Sequence, residues 1–162
     1  MSKEITFELT NYCPHECKFC SSDAKPNGSI NLRYQEIQKH LKDKTFDIIN
    51  LSGGEPIAHP ELYGIICMCR EHLTPLGELW IYTNMFDGIR YNLHIRDRVK
   101  IHANITAHSD TDAIHVLERQ KHGREAQRPE VKISGEDCDI CDHIVVRPNG
   151  KQEKPCKKFD LV

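Results

Sequence analysis

Short apolar runs alternate with stretches of helical periodicity along this chain. "ITFELT" (5–10) reads as a strand, and a helix is expected over 31–42 with Leu32, Ile37 and Leu41 on one stripe. "FDIINLS" (46–52) is the next strand, ending in "GGEP" and leading to a helix near 60–72. "ELWIYTN" (78–84) is a third strand, followed by a short helix over 88–97. "VKIHANITAH" (99–108) is a fourth, then "DTDAIHVLERQ" (110–120) a helix with Asp110 or Thr111 as its N-cap. "VKIS" (131–134) is a short fifth strand, and "GREAQRPE" (123–130) before it has linker composition. Strands alternating with helices predict βα units and a parallel sheet. Beyond Gly135 the pattern changes to cysteine-bearing turns and a hairpin-like stretch, "HIVVRPNGKQEK" (143–154), with Pro-Asn-Gly as its turn.

The strands carry a second period. Ile49 and Leu51 alternate with Asn50 and Ser52, and Leu79 and Ile81 with Trp80, Tyr82 and Asn84. Ile101, Ala103, Ile105 and Ala107 alternate with His102, Asn104, Thr106 and His108. A parallel sheet covered by helices on both faces is apolar on both. One apolar and one polar face instead predict a curved, partial βα barrel. Helices cover its outside, and polar residues line a cavity toward the C-terminal strand ends. An antiparallel sheet with one wet face alternates in the same way, but the intervening helices argue against it.

The chain has 162 residues, enough for one domain with a real core, or one domain and a small appendage. We expect a core over 1–135 and a C-terminal extension over 136–162. Its formal charge of −2 removes an overall basic field as a reason to expect nucleic acid or an anionic membrane. No apolar run approaches a membrane span, and "MSKEITFELT" lacks the apolar core of a signal peptide. A cytoplasmic protein with reduced thiols and no membrane partner is therefore expected.

Eight cysteines in that setting read first as metal ligands. Cys13, Cys17 and Cys20 lie within "CPHECKFC". Three thiolates can hold three irons of a cubane cluster and leave the fourth open to an outside ligand. A structural zinc site completed by His15 or a distant cysteine is the alternative. Cys67 and Cys69 lie about 200° apart around a helix, so they cannot face one metal together and are expected as buried small residues.

The surroundings of the triplet decide between these readings. "CPHECKFC" follows the first strand, with Phe19 directly before the last cysteine, and "GGEP" follows the second. "YTN" ends the third, and "VKISG" (131–135) closes the barrel region. In this order and placement the chain resembles the radical S-adenosylmethionine (SAM) superfamily. The resemblance implies a [4Fe–4S] cluster on Cys13, Cys17 and Cys20. It also implies SAM contacts from Phe19, Gly53, Gly54, Glu55 and Asn84, with Thr106 and His108 on the polar face. Ile133 falls in the stretch that packs on adenine, although Val131 stands where a glycine is more common. The chemistry implied is one-electron cleavage of SAM to methionine and a 5′-deoxyadenosyl radical, which takes hydrogen from a substrate. A flavodoxin- or ferredoxin-type protein would supply the electron.

Cys138, Cys141 and Cys156 form a second group. Their position resembles the C-terminal auxiliary-cluster region, termed Twitch or SPASM, of some members, including the GTP 3′,8-cyclase of molybdenum cofactor synthesis. This implies a second iron–sulfur cluster. A zinc knuckle using His143 is the alternative. Three functions follow: a radical SAM enzyme acting on a peptide, nucleotide, nucleic acid or other substrate; an activase that forms a glycyl radical on a partner protein; and a zinc-stabilised binding module. The second cysteine group argues against the activase, because short activases need no such group.

Overall fold

The computed structural model describes residues 3–14, 24–83, 98–103 and 143–153. Cys17, Phe19, Cys20, Asn84, Thr106, His108, Ile133, Cys138, Cys141 and Cys156 lie outside these residues. So do the expected helices over 88–97 and 110–120 and the strand over 131–134.

The described strands are β1 (Glu4–Glu8), β2 (Phe46–Ser52), β3 (Leu73–Thr83), β4 (Lys100–Ala103), β5 (His143–Val146) and β6 (Gln152–Glu153). The helices are α1 (Tyr34–Leu41) and α2 (Leu62–Glu71), and a 3-10 turn covers Pro56–Ala58. They form one sheet in the order β4-β3-β2-β1-β5-β6. All neighbours run parallel except the β5–β6 hairpin. The chain is a mostly parallel α/β sheet of the partial (βα) barrel kind, as its patterning predicts.

The register explains the alternation. Ile5 and Phe7 lie beside Ile49 and Leu51 on one side and beside Ile144 and Val146 on the other. Leu79, Ile81 and Ile101 continue that face, and Ile37, Leu41, Leu62, Ile65, Ile66, Met68 and Cys69 of the helices pack with it. Burying each large side chain contributes about 1.5–3 kcal/mol before the entropy of ordering the chain is subtracted. The opposite face carries polar pairs. Asn50 Nδ2 donates to Glu4 Oε1 at 2.6 Å and to Thr6 Oγ1 at 3.1 Å, and Thr6 Oγ1 lies 2.7 Å from His143 Nε2. Trp80 Nε1 donates to Glu78 Oε2, whose other oxygen pairs with Lys100 at 2.8 Å.

Two boundaries and one burial differ from the sequence reading. Helix α1 starts at Tyr34 rather than at 31, because backbone bonds hold the preceding residues: Leu32 N donates to Leu9 O, and Asn31 bridges Thr10. Leu32 is fully buried, but outside the helix. Strand β3 starts at Leu73 rather than at 78. Its register jumps from Phe46↔Leu73 to Ile48↔Glu78, so Thr74–Gly77 bulge out opposite Asp47. Bulges are where a strand accommodates Pro75 and Gly77. Third, Cys69 is buried as expected, whereas Cys67 is only half-buried. Burial pushes the Cys69 thiol pKa far above its ordinary value.

The expected hairpin is present as β5 and β6, and it belongs to the same sheet as β1. Among the described residues, no helix is long and apolar enough to cross a membrane.

Candidate functional site

The C-terminal ends of β1, β2 and β3 converge where βα folds keep their chemistry. Beyond β1 the chain runs through Leu9–Tyr12 to Cys13, whose side chain is buried. A ladder closes the neck of the loop that begins there. Cys13 N donates to Lys25 O at 3.1 Å, Lys25 N to Asn11 O at 3.0 Å, and Asn11 N to Ile30 O at 3.0 Å. Asn11 Oδ1 accepts from Ile30 N at 2.8 Å. Both arms of the cysteine loop are thus pinned at its base.

The Gly53–Pro56 turn continues β2 alongside that neck. Gly54 N donates to Thr10 O at 2.8 Å and Glu55 N to Tyr12 O at 2.7 Å. These bonds place the turn against the residue preceding Cys13. Glycine is required at both positions. Gly53 has φ +125, and a Cβ there would sit 2.8 Å from Thr10 O. A Cβ on Gly54 would sit 1.9 Å from Tyr12 O.

Glu55 is fully buried, and its side chain turns inward. Oε1 accepts from Thr83 Oγ1 at 2.5 Å and from Ile57 N at 3.2 Å. The carboxylate therefore ties the end of β3 to the turn and caps the Pro56–Ala58 helix. Thr83, the middle residue of "YTN", is a site residue that the sequence reading did not name. The available signal was a polar residue on the face of Leu79 and Ile81. Two further residues were missed. His59 is 4% exposed, with Nε2 2.8 Å from Leu32 O and Nδ1 accepting from Glu61 N at 3.0 Å. Arg147 pairs with Glu8 at 2.7 Å, and its Nη2 pairs with Glu153 at 2.7 Å, at the same end of the sheet.

A family model, the radical SAM superfamily, matches residues 7–147. The chain belongs to that superfamily. An S-adenosylmethionine-dependent nucleotide dehydratase from Selenomonas ruminantium is 28% identical over 68 residues. The match takes in 41% of this radical SAM chain and only 25% of that relative. A crystal structure of BtrN in complex with AdoMet and 2-DOIA superposes with a TM-score of 0.63 at 16% identity. It covers 98% of this chain and 74% of BtrN. BtrN in an open conformation gives 0.60 at 17% identity, covering 94% and 69%. At such identities these structures establish the radical SAM fold alone.

Family membership implies SAM and a [4Fe–4S] cluster, and the described residues fit them. Cys13 carries a free thiol, a group of the right chemistry for iron. The adjoining turn lies so close to the loop neck that a Cβ at Gly53 or Gly54 would collide with the Thr10 or Tyr12 backbone. Of the expected site residues, Cys13, Gly53, Gly54 and Glu55 are described, and they are together.

Proposed function

We propose that this radical SAM protein is an enzyme that cleaves SAM reductively and uses the product radical to take hydrogen from a substrate. The observation that carries the reading is the pair of bonds from Gly54 N and Glu55 N to Thr10 O and Tyr12 O. They tie the turn that would meet the SAM amino group to the residue before Cys13. When bound, the cluster would supply the electron for reductive cleavage of SAM.

The chain's own residues hold, orient and exclude water. Cys13, Cys17 and Cys20 would ligate three irons. Gly53 and Gly54 would present backbone to the methionine end. Glu55 acts differently from a direct ligand in this reading: its carboxylate fixes the turn to Thr83. Phe19, Asn84, Thr106, His108 and Ile133 would complete the SAM and substrate surroundings. A flavodoxin- or ferredoxin-type donor would deliver the electron. Among substrates, the dehydratase relative puts nucleotides first for testing, ahead of peptides and nucleic acids.

A second iron–sulfur cluster on Cys138, Cys141 and Cys156 is part of the proposal. Cys141 precedes His143 by two residues and Cys156 follows Glu153 by three. Because β5 and β6 are antiparallel, the chain enters β5 and leaves β6 on the same side of the hairpin. This supports a shared site for the cysteines. The test is anaerobic reconstitution followed by SAM and dithionite, with 5′-deoxyadenosine measured. Wild type is expected to form it and Cys17→Ala to form none. Undiminished cleavage in Cys17→Ala would end the reading.

A further inference from the structure

We propose that His59 is a positioning residue that sets the distance between the Gly53–Pro56 turn and the returning arm of the cysteine loop. The proposal rests on the reading that this turn and this loop jointly hold SAM. His59 lies outside the four-residue turn and at the start of the segment leading to α2. Its ring is buried and bonded at both nitrogens to backbone.

The partners fix its tautomer. A carbonyl oxygen only accepts, so the 2.8 Å contact with Leu32 O requires a hydrogen on Nε2. Glu61 N donates at 3.0 Å, so Nδ1 must be bare. The ring is thus a neutral bridge with a donor at one end and an acceptor at the other. The two ends do different work. The Nδ1 bond is local, two residues along the chain. The Nε2 bond crosses to a residue 27 positions away, on the far side of the loop.

Leu32 is a member of the loop's base. Its N donates to Leu9 O at 2.8 Å, next to the Thr10↔Asn31 bridge. His59 is itself held to the turn, since His59 N donates to Pro56 O at 3.1 Å and Ala58 N to Glu55 O at 3.1 Å. The turn therefore has three anchors. Thr10 and Tyr12 hold it to the outgoing arm of the loop, Thr83 holds it to β3, and His59 holds it to the returning arm. With any one missing, the turn can pivot about the others. A ligand clasped between turn and loop then loses affinity, because preorganisation is lost while its direct contacts remain.

The two bonds can be separated by substitution. His59→Gln carries an amide long enough to donate to Leu32 O. His59→Asn can supply an oxygen to Glu61 N and does not reach Leu32. His59→Ala removes both. The experiment measures iron per chain, the SAM dissociation constant, and the change in the EPR spectrum of the reduced cluster on adding SAM. Each is corrected for folded fraction.

His59→Gln is expected to stay within about threefold of wild-type affinity, and His59→Asn and His59→Ala to lose about tenfold, as for a lost buried hydrogen bond. The EPR change should weaken in step, with iron content unchanged. A purely stabilising histidine would lower the melting temperature and leave affinity per folded molecule where it was. That result, or wild-type affinity in His59→Asn with loss in His59→Gln, would overturn the proposal alone. Wild-type protein that retains iron and binds no SAM would overturn the reading beneath it, and the proposal with it.

Discussion

Arg147 Nη1 donates to Glu8 Oε1 at 2.7 Å, joining two residues 139 positions apart. Both side chains are largely withdrawn from water, at 13% and 6% exposed. The same guanidinium donates through Nε and Nη2 to Glu153 Oε2 at 2.9 and 2.7 Å. One arginine therefore joins β1, the end of β5 and β6, and it latches the hairpin to the strand that feeds the cysteine loop. Arg147→Ala should destabilise the fold, because it removes a cationic partner of the Glu8 carboxylate in a buried place. Arg147→Met with Glu8→Leu should cost less than Arg147→Ala, since the Glu8 charge is removed together with the arginine. Urea melts of the single and double variants decide this.

The second relationship is the contact of the Gly53–Pro56 turn with the loop neck. Gly54→Ala would put a methyl carbon 1.9 Å from Tyr12 O, and backbone cannot give way there as a flexible side chain would. The turn must separate from the neck, breaking the bonds to Thr10 O and Tyr12 O. Gly54→Ala is expected to lower SAM affinity at least tenfold, by the loss of two buried hydrogen bonds. Gly64→Ala is the control. Its added carbon meets Tyr34 at an ordinary 3.7 Å, so binding should be unchanged. Equal affinities in the two variants would contradict the clamp.

What the sequence discloses follows from range. The apolar face of Ile49, Leu51, Leu79, Ile81 and Ile101 was legible, because strand geometry repeats every two residues whatever the tertiary context. The placement of Cys13 beside Gly54 was legible because both stand at strand ends that a parallel sheet brings together. The start of α1 was misjudged because Leu32 fits the helical stripe, while its backbone bonds with Leu9 O. The start of β3 was misjudged because Pro75 and Gly77 look like loop residues and instead form a bulge. The bonds His59–Leu32, Glu55–Thr83 and Arg147–Glu8 were illegible. Each depends on which distant segment a side chain meets, and no local period encodes that.

Asp47 gives a pH-dependent expectation. Lys3 N donates to its Oδ2 at 2.7 Å and Thr74 Oγ1 to its Oδ1 at 3.0 Å. The Lys3 backbone N–H, and after it the Thr74 hydroxyl, hold the carboxyl below its ordinary value. A carboxyl depressed on folding contributes stability that is complete above its unfolded pKa. That contribution disappears as pH falls through the folded value. Wild type should melt higher than Asp47→Asn at pH 7, and the gap should close below about pH 4. A gap that is constant down to pH 3 would show that the charged form is not what these donors favour.

The last expectation concerns the C-terminal cysteines. The hairpin's strands end beside one another: Val145 lies opposite Glu153, and both chain ends leave on the His143 side. That side adjoins Glu4, at the start of β1, whereas Cys13 follows the other end of the same strand. If Cys138, Cys141 and Cys156 hold a cluster there, it is separate from the one on Cys13, Cys17 and Cys20 and should be lost independently. Anaerobic reconstitution should then give about eight irons per chain, falling to about four in the Cys138/Cys141/Cys156 triple Ala variant, if both clusters are cubanes. The variant should still cleave SAM with dithionite, because its N-terminal loop and turn are untouched. Equal iron in wild type and the triple variant, or zinc in place of iron at that site, would defeat the assignment.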